Sequence, residues 1–118
     1  MYRPASLFIL VAALLAPTFA AAAAASDAAT LARGKAAFTH RCSMCHREGG
    51  TGTNILARRL GVGKSLLEQR TDLDTTYVKT VVRWGLVNMP RISRVELPEP
   101  DMDALVAYLT APKAPATP

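Results

Sequence analysis

Two stretches in the second half of this 118-residue chain carry apolar residues at helical spacing. The first opens at Asp72 or Asp74 and ends at Gly85, which stands where a C-capping residue is expected. Its β-branched residues leave a strand as an alternative, but the capping residues at both ends favour a helix. The apolar positions of this helix are Tyr77, Val78, Val81, Val82 and Trp84.

The second stretch predicts a final helix near the C-terminus. Pro98 and Pro100 precede it, and Asp101 and Asp103 lie in its first turn, where the helix dipole favours negative charge. Pro112 ends it. The apolar face is predicted to consist of Met102, Leu105, Tyr108 and Leu109.

An alanine-rich helix is predicted over residues 28–40, with Ser26 or Asp27 as its N-cap. Gly34 and Phe38 lie one turn apart on it, so they share a face that another helix can approach closely. The pattern as a whole therefore predicts an all-α protein. Its remaining segments are a loop over 48–53, an apolar segment over 55–60, a short helix over 64–70 and irregular chain over 86–97.

The N-terminus has the layout of a secretory signal peptide: Arg3, an apolar segment and a small-residue tract with A-x-A-like cleavage options. The apolar stretch 5–25 is long enough to suggest a membrane span, but Pro17 interrupts it and its second half is alanine. We therefore predict a cleaved signal peptide at 1–25, with an uncleaved anchor as the alternative. A single small domain follows over 26–111, and a disordered Pro/Ala tail over 112–118.

The most specific motif is Cys42-Ser43-Met44-Cys45-His46, which contains both cysteines of the chain. Two thiols at this spacing add to the vinyl groups of a haem as thioethers, and the adjacent histidine supplies the proximal iron ligand. A thioredoxin-like pair lacks its βαβ context, and a zinc site would crowd His40 and the motif onto one turn. A short-loop disulfide is the remaining alternative.

The sixth iron ligand has four candidates. Met44 lies inside the attachment turn on the proximal side, and Met102 falls on the apolar face of the last helix. His40 is on the same helix as the motif. This elimination leaves Met89, which is far enough from His46 in sequence to reach the other haem face.

The mature chain carries a formal charge of +4, since the 14 basic residues lose Arg3 and face 9 acidic ones. No basic run interleaved with aromatics indicates nucleic acid. Several basic residues are candidates for a rim around the haem edge that steers an acidic partner, with ordinary surface charges as the alternative. They are Arg58, Arg59, Lys64, Arg70, Arg91 and Arg94.

Three motifs together resemble class I cytochromes c over nearly the whole mature chain: Gly34-x-x-x-Phe38 before the cysteine motif, Met89-Pro90, and Leu105-x-x-Tyr108-Leu109. The resemblance implies an all-α domain wrapped around one covalently attached haem c, with the first and last helices crossing. It also implies His46 and Met89 as axial ligands, Cys42 and Cys45 as attachment residues, and one exposed haem edge.

Segments 56–61 and 81–90 are similar, more specifically, to small cytochromes that serve periplasmic dehydrogenases, such as the cytochrome subunit of flavocytochromes like p-cresol methylhydroxylase. One difference is that Gly52-Thr53-Asn54 replaces the family's Gly-Pro, whose proline carbonyl accepts a hydrogen bond from the proximal histidine. A carbonyl from Thr53 or a neighbour is expected to take that role. Trp84 is expected either to donate to a haem propionate or to pack beside the haem.

These features predict a periplasmic one-electron carrier rather than an enzyme, because both axial positions of the iron would be filled. Its partners would be redox proteins, with a periplasmic dehydrogenase or respiratory donor and an oxidase or other acceptor. No stable membrane insertion is expected after signal cleavage. Two alternatives stay open: a haem subunit held tightly by a dehydrogenase, and a sensor or small peroxidase in which Met89 is displaceable.

Overall fold

A computed structural model describes residues 16–113 of the protein, with side chains described from Asp27 onward. The predicted all-α fold is confirmed, since the described residues form helices and turns, with one isolated bridge between Leu86 and Met89. Two 3-10 turns, Val62–Lys64 and Leu67–Gln69, lie between the third and fourth α-helices. The α-helices are α1 (Ala16–Arg41), α2 (Ser43–His46), α3 (Thr51–Leu60), α4 (Thr75–Trp84) and α5 (Glu99–Thr110).

Helix α1 begins earlier than predicted. The chain is helical from the first described residue, Ala16, and the helix runs through the positions that were expected to cap it, Ser26 and Asp27. Alanine has the highest helix propensity of any residue type, so the alanine tract before Ser26 continues the helix toward the N-terminus. The signal peptide and the Pro/Ala tail stay predictions, because 1–15 and 114–118 lie outside the described residues. None of the helices within residues 16–113 is long and apolar enough to cross a membrane.

The first and last helices cross as predicted. Gly34 is buried at the contact, where an added Cβ would lie 2.6 Å from the Cβ of Tyr108 and would overlap the carbonyl oxygen of Ala104. Phe38 follows one turn later, and its ring centroid lies 6.2 Å from that of Tyr108. The small residue thus permits close approach, and the aromatic pair fills the space beside it.

Helix α4 begins and ends at the predicted capping residues. The Asp74 carboxylate accepts a hydrogen bond from the backbone N–H of Tyr77, and Gly85 ends the helix with a φ of 77°. The chain then crosses to α5 through the predicted irregular segment. The guanidinium of Arg83 fixes that segment by donating to the carbonyls of Ile92, Ser93 and Leu97.

Two local predictions are wrong. Helix α3 begins at Thr51, so only the first part of the predicted loop over 48–53 is a loop. The short helix predicted over 64–70 is instead two separate 3-10 turns, because Leu66 between them is extended. The apolar core lies between α1, α4 and α5, and its fully buried members include Phe38, Leu97, Met102 and Leu105.

Candidate haem-binding site

The four residues predicted to hold a haem line one cavity of about 700 Å³. Cys42, Cys45 and His46 reach it from the turn after α1, and Met89 reaches it from the segment after α4. Residues separated by more than 40 positions in sequence are thus brought together by the packing of these elements. Most of the remaining wall is apolar and includes Ile55, Leu56, Leu67, Leu73, Val78 and Val81.

The two cysteines lie on a single helical turn. The backbone N–H groups of Cys45 and His46 both donate to the carbonyl of Cys42, at 3.1 and 3.0 Å. Both thiols are free; Cys42 is buried and Cys45 is exposed. Burial, and to a lesser degree the neighbouring Cys45, raises the pKa of the Cys42 thiol to about 11, so it stays protonated at neutral pH.

The His46 ring is held at the base of the cavity. Its Nδ1 atom is buried and has no hydrogen-bond partner among the described residues. Burial lowers the pKa of His46, which keeps the ring neutral and its lone pair available to a metal. The backbone carbonyl of Thr53 or a neighbour, predicted to accept a hydrogen bond from this ring, accepts none from Nδ1. The Thr53 hydroxyl donates to the carbonyl of Arg47 at 2.8 Å.

Gly52 packs directly against the His46 imidazole. A Cβ at this position would lie 2.9 Å from Cε1 of the ring and 3.0 Å from the carbonyl oxygen of Cys45. The resemblance placed Gly52 in the segment near the proximal histidine, but the sequence did not predict its contact with the ring, because that contact depends on how α3 folds back over α2.

We expect Gly52→Ala to displace the imidazole or the start of α3, because the added methyl group has no space. Overpacking of this kind costs about 1–3 kcal/mol of unfolding free energy. The haem-loaded variant is expected to unfold at lower denaturant concentration and to show a shifted His46 ring resonance by NMR. Gly63→Ala is the matched control, since a Cβ there meets nothing within 4 Å. Equal stability of the two variants would contradict the assigned contact.

Met89 is placed by a tight hairpin. The backbone of Leu86 and Met89 exchanges two hydrogen bonds, at 3.1 and 2.9 Å. At the tip Val87 has a φ of 54°, a conformation that is strained for a β-branched residue. Strained residues of this kind occur where a functional group must be held in position. The hairpin turns the chain back so that Met89, which is half-buried, lines the cavity.

The other candidates for the sixth ligand lie elsewhere. Met44 is 81% exposed, His40 is exposed, and Met102 is fully buried in the core. None of the three lines the cavity that contains His46. The structure therefore brings together the same four residues that the sequence selected.

The basic residues predicted to form one rim fall into separate groups. Arg58, Arg59 and Arg70 line the cavity, whereas Arg91 and Arg94 line a different groove. Lys64 lines neither of them and pairs with Asp72 at 2.8 Å. Hydrogen bonds from the Arg70 and Lys64 side chains hold the pKa of Asp72 well below its usual range.

The prediction that Trp84 packs beside the haem is wrong, whereas donation to a haem propionate stays a prediction. The Trp84 side chain is 81% exposed and lines the second groove, not the cavity that contains Cys42 and His46. At 3.6 residues per turn, Trp84 lies about 140° around α4 from the midpoint of its two buried residues, Val78 and Val82. It therefore points away from the face that packs on the core.

The cavity residues fit a covalently attached haem. Two free thiols one helical turn apart suit two thioether bonds, and the His46 imidazole and the Met89 sulfur, which line the same cavity, would suit an iron that takes a nitrogen and a sulfur ligand. The apolar walls suit the porphyrin faces, and the arginines that line the cavity suit its carboxylates.

Comparison with known proteins supports this interpretation. The family model described as cytochrome c oxidase, cbb3-type, subunit III, matches residues 29–109, which is more than two thirds of the chain. Neither the curated proteins nor the solved structures contain a significant match. The matched range contains the cysteine motif, the cavity and the crossing of α1 with α5. The chain therefore belongs to this family of c-type cytochrome domains, whose members carry covalently attached haem c and function in electron transfer.

Proposed function

We propose that the protein is a one-electron carrier in which Cys42 and Cys45 attach the haem and His46 and Met89 are its axial ligands. The observation that supports this most strongly is the single cavity in which two thiols, an imidazole and a thioether sulfur meet. These are the protein groups that a His/Met-ligated haem c requires. Bound haem supplies an iron that alternates between the ferric and ferrous states.

The residues of the chain determine what that iron does. The soft sulfur of Met89 would favour the ferrous state of a bound haem iron and so raise its reduction potential. The apolar walls contributed by α3, α4 and α5 exclude water, which limits rearrangement between the two states. With His46 and Met89 both bound, no position is left for substrate. We therefore propose that the protein exchanges electrons and does not catalyse a further reaction.

The location and the partners are also proposals. The N-terminal pattern supports export to the periplasm, where covalent haem attachment takes place. We propose a periplasmic dehydrogenase or respiratory donor and an oxidase or other acceptor. The name of the matched family model, an oxidase subunit, supports an oxidase partner, whereas the dehydrogenase partner rests on the expected resemblance of segments 56–61 and 81–90 to dehydrogenase cytochromes. Purification from the source cells distinguishes a freely diffusing carrier from a subunit, because only a subunit keeps its partner bound.

Mass spectrometry of the exported protein tests the attachment directly. We expect one added haem on a chain that has lost residues 1–25, and no Cys42–Cys45 disulfide. Cys45→Ser is expected to lower the yield of haem-loaded protein severely, and the remainder should keep one unreacted vinyl group in its pyridine haemochrome spectrum. Ser43→Ala is the control within the same turn and should mature normally. A colourless product, or an intact disulfide, would overturn the proposal.

A further inference from the structure

We propose that the groove between α4 and residues 91–94, which Trp84 lines, binds an acidic surface of a redox partner protein. The proposal depends on the electron-transfer role above and adds the position of the docking surface. The groove has a volume of about 500 Å³ and is separate from the haem cavity, with which it shares no lining residue. Besides Trp84 it is lined by Lys79, Thr80, Arg83, Arg91, Ile92, Ser93 and Arg94.

The exposure of Trp84 is the first observation that supports docking. It is the only tryptophan of the chain, and 81% of its surface faces solvent. A side chain of this size stabilises a fold by being buried, which Trp84 is not. Tryptophan and arginine are the residues that most often dominate the binding energy of protein interfaces. Here the tryptophan lies in a groove with three arginines.

The charge of the groove determines the partner's chemistry. Four cationic side chains line it, and no carboxylate does. Carboxylates nearby offset part of this charge, since Asp103 pairs with Lys79 at 2.6 Å and Glu99 pairs with Arg83 and Arg94. Arg91 is exposed and has no ion-pair partner among the described residues. A groove with this surplus of positive charge is complementary to Asp and Glu side chains.

The walls of the groove are held in place by hydrogen bonds within the protein, before any partner binds. The Arg83 side chain is 13% exposed and donates to three backbone carbonyls of residues 92–97. The backbone N–H of Ile92 also donates to the carbonyl of Val82 at 2.8 Å, which joins the two sides of the groove. Binding at a preformed site loses less conformational entropy than binding at a flexible one.

The groove lies beside the haem cavity. Trp84 and Arg91 flank the hairpin that carries Met89, so the same short segment connects the two sites. A partner bound at Trp84 would therefore lie near the distal wall of the cavity without entering it. The concave shape favours a protruding acidic segment of a protein over the flat surface of an anionic membrane.

Trp84 provides its own probe, because its indole N–H gives a single resonance in the ¹⁵N spectrum. We expect that titrating the ferrous, haem-loaded protein with a synthetic peptide of alternating Glu and Phe residues shifts this resonance, together with amides of residues 79–84 and 91–94. The shift should saturate and weaken as salt is raised. Affinity, followed by isothermal calorimetry, is expected to fall about tenfold in Trp84→Ala and in Arg91→Glu.

Two controls separate groove binding from general attraction. Lys35→Glu changes the net charge as Arg91→Glu does, at an exposed position on α1, and Val62→Ala removes a different exposed apolar side chain. Both are expected to leave the affinity within about twofold. Equal losses in Lys35→Glu and Arg91→Glu would overturn the proposal. So would an absence of peptide-induced shifts, or indole shifts with anionic phospholipid vesicles but not with the peptide. The proposed electron-transfer role is tested separately by reversible redox titration of the same samples.

Discussion

We expect Met89→Ala to keep its haem but to lose the proposed distal ligand of the iron. The proposed thioether bonds at Cys42 and Cys45 would not depend on Met89, which reaches the cavity from a different segment. Without the sulfur, no other described methionine lines the cavity, so the position stays open to small ligands. We expect the weak iron–sulfur charge-transfer band of the ferric protein to disappear. The ferrous protein should bind carbon monoxide, which the parent protein should exclude.

The reduction potential of Met89→Ala should also fall. A methionine sulfur stabilises ferrous iron, and axial ligands as a class set haem potentials over a range of about 0.8 V. A drop on the order of 0.1 V is therefore expected, measured by spectroelectrochemical titration. Met44→Ala is the matched control, because Met44 belongs to the attachment turn but is 81% exposed and does not line the cavity. A retained charge-transfer band in Met89→Ala would contradict the assignment of the distal ligand.

The parts of the site that could be predicted are those fixed by covalent chemistry or by local sequence. Cys42, Cys45 and His46 lie within five residues, so their relative positions follow from one helical turn. Met89 was selected by elimination, and the structure places it in the same cavity as His46, whereas Met44 is exposed and Met102 lies in the core. Helix α4 was predicted correctly because local residues determine its ends: the Asp74 side chain caps its N-terminus, and Gly85 adopts the positive φ that ends it.

The parts that could not be predicted depend on contacts between distant segments. The resemblance placed Gly52 near the proximal histidine, but its packing against the His46 ring follows only from the way α3 folds over that ring. Trp84 was assigned to an apolar face by residue type, although its angular position on α4 places it away from Val78 and Val82. The basic residues likewise appeared as one set along the chain, and the fold separates them into a cavity group and a groove group. The residue type alone does not show in which direction a side chain points in the folded protein.

Gly34→Ala will destabilise the protein, although the same substitution in an exposed helix stabilises it by about 1 kcal/mol. The reason is the crossing of α1 with α5. An added Cβ would overlap the backbone carbonyl of Ala104 and lie 2.6 Å from the Cβ of Tyr108. Backbone atoms of a packed helix cannot rotate aside as a flexible side chain can, so the two helices must separate. We expect a loss of about 1–3 kcal/mol for alanine and a larger loss for valine.

The loss is expected to extend to the haem site, because α5 contributes Leu105 and Leu109 to the cavity wall. Separation of the helices would move these side chains away from the porphyrin. Unfolding by guanidinium chloride should therefore show a lower midpoint both by circular dichroism and by haem absorbance. Ala36→Val is the control, since Ala36 is exposed on the same helix, and it should cost only the difference in helix propensity. If Gly34→Ala were as stable as the parent protein, close contact between α1 and α5 at Gly34 would be refuted.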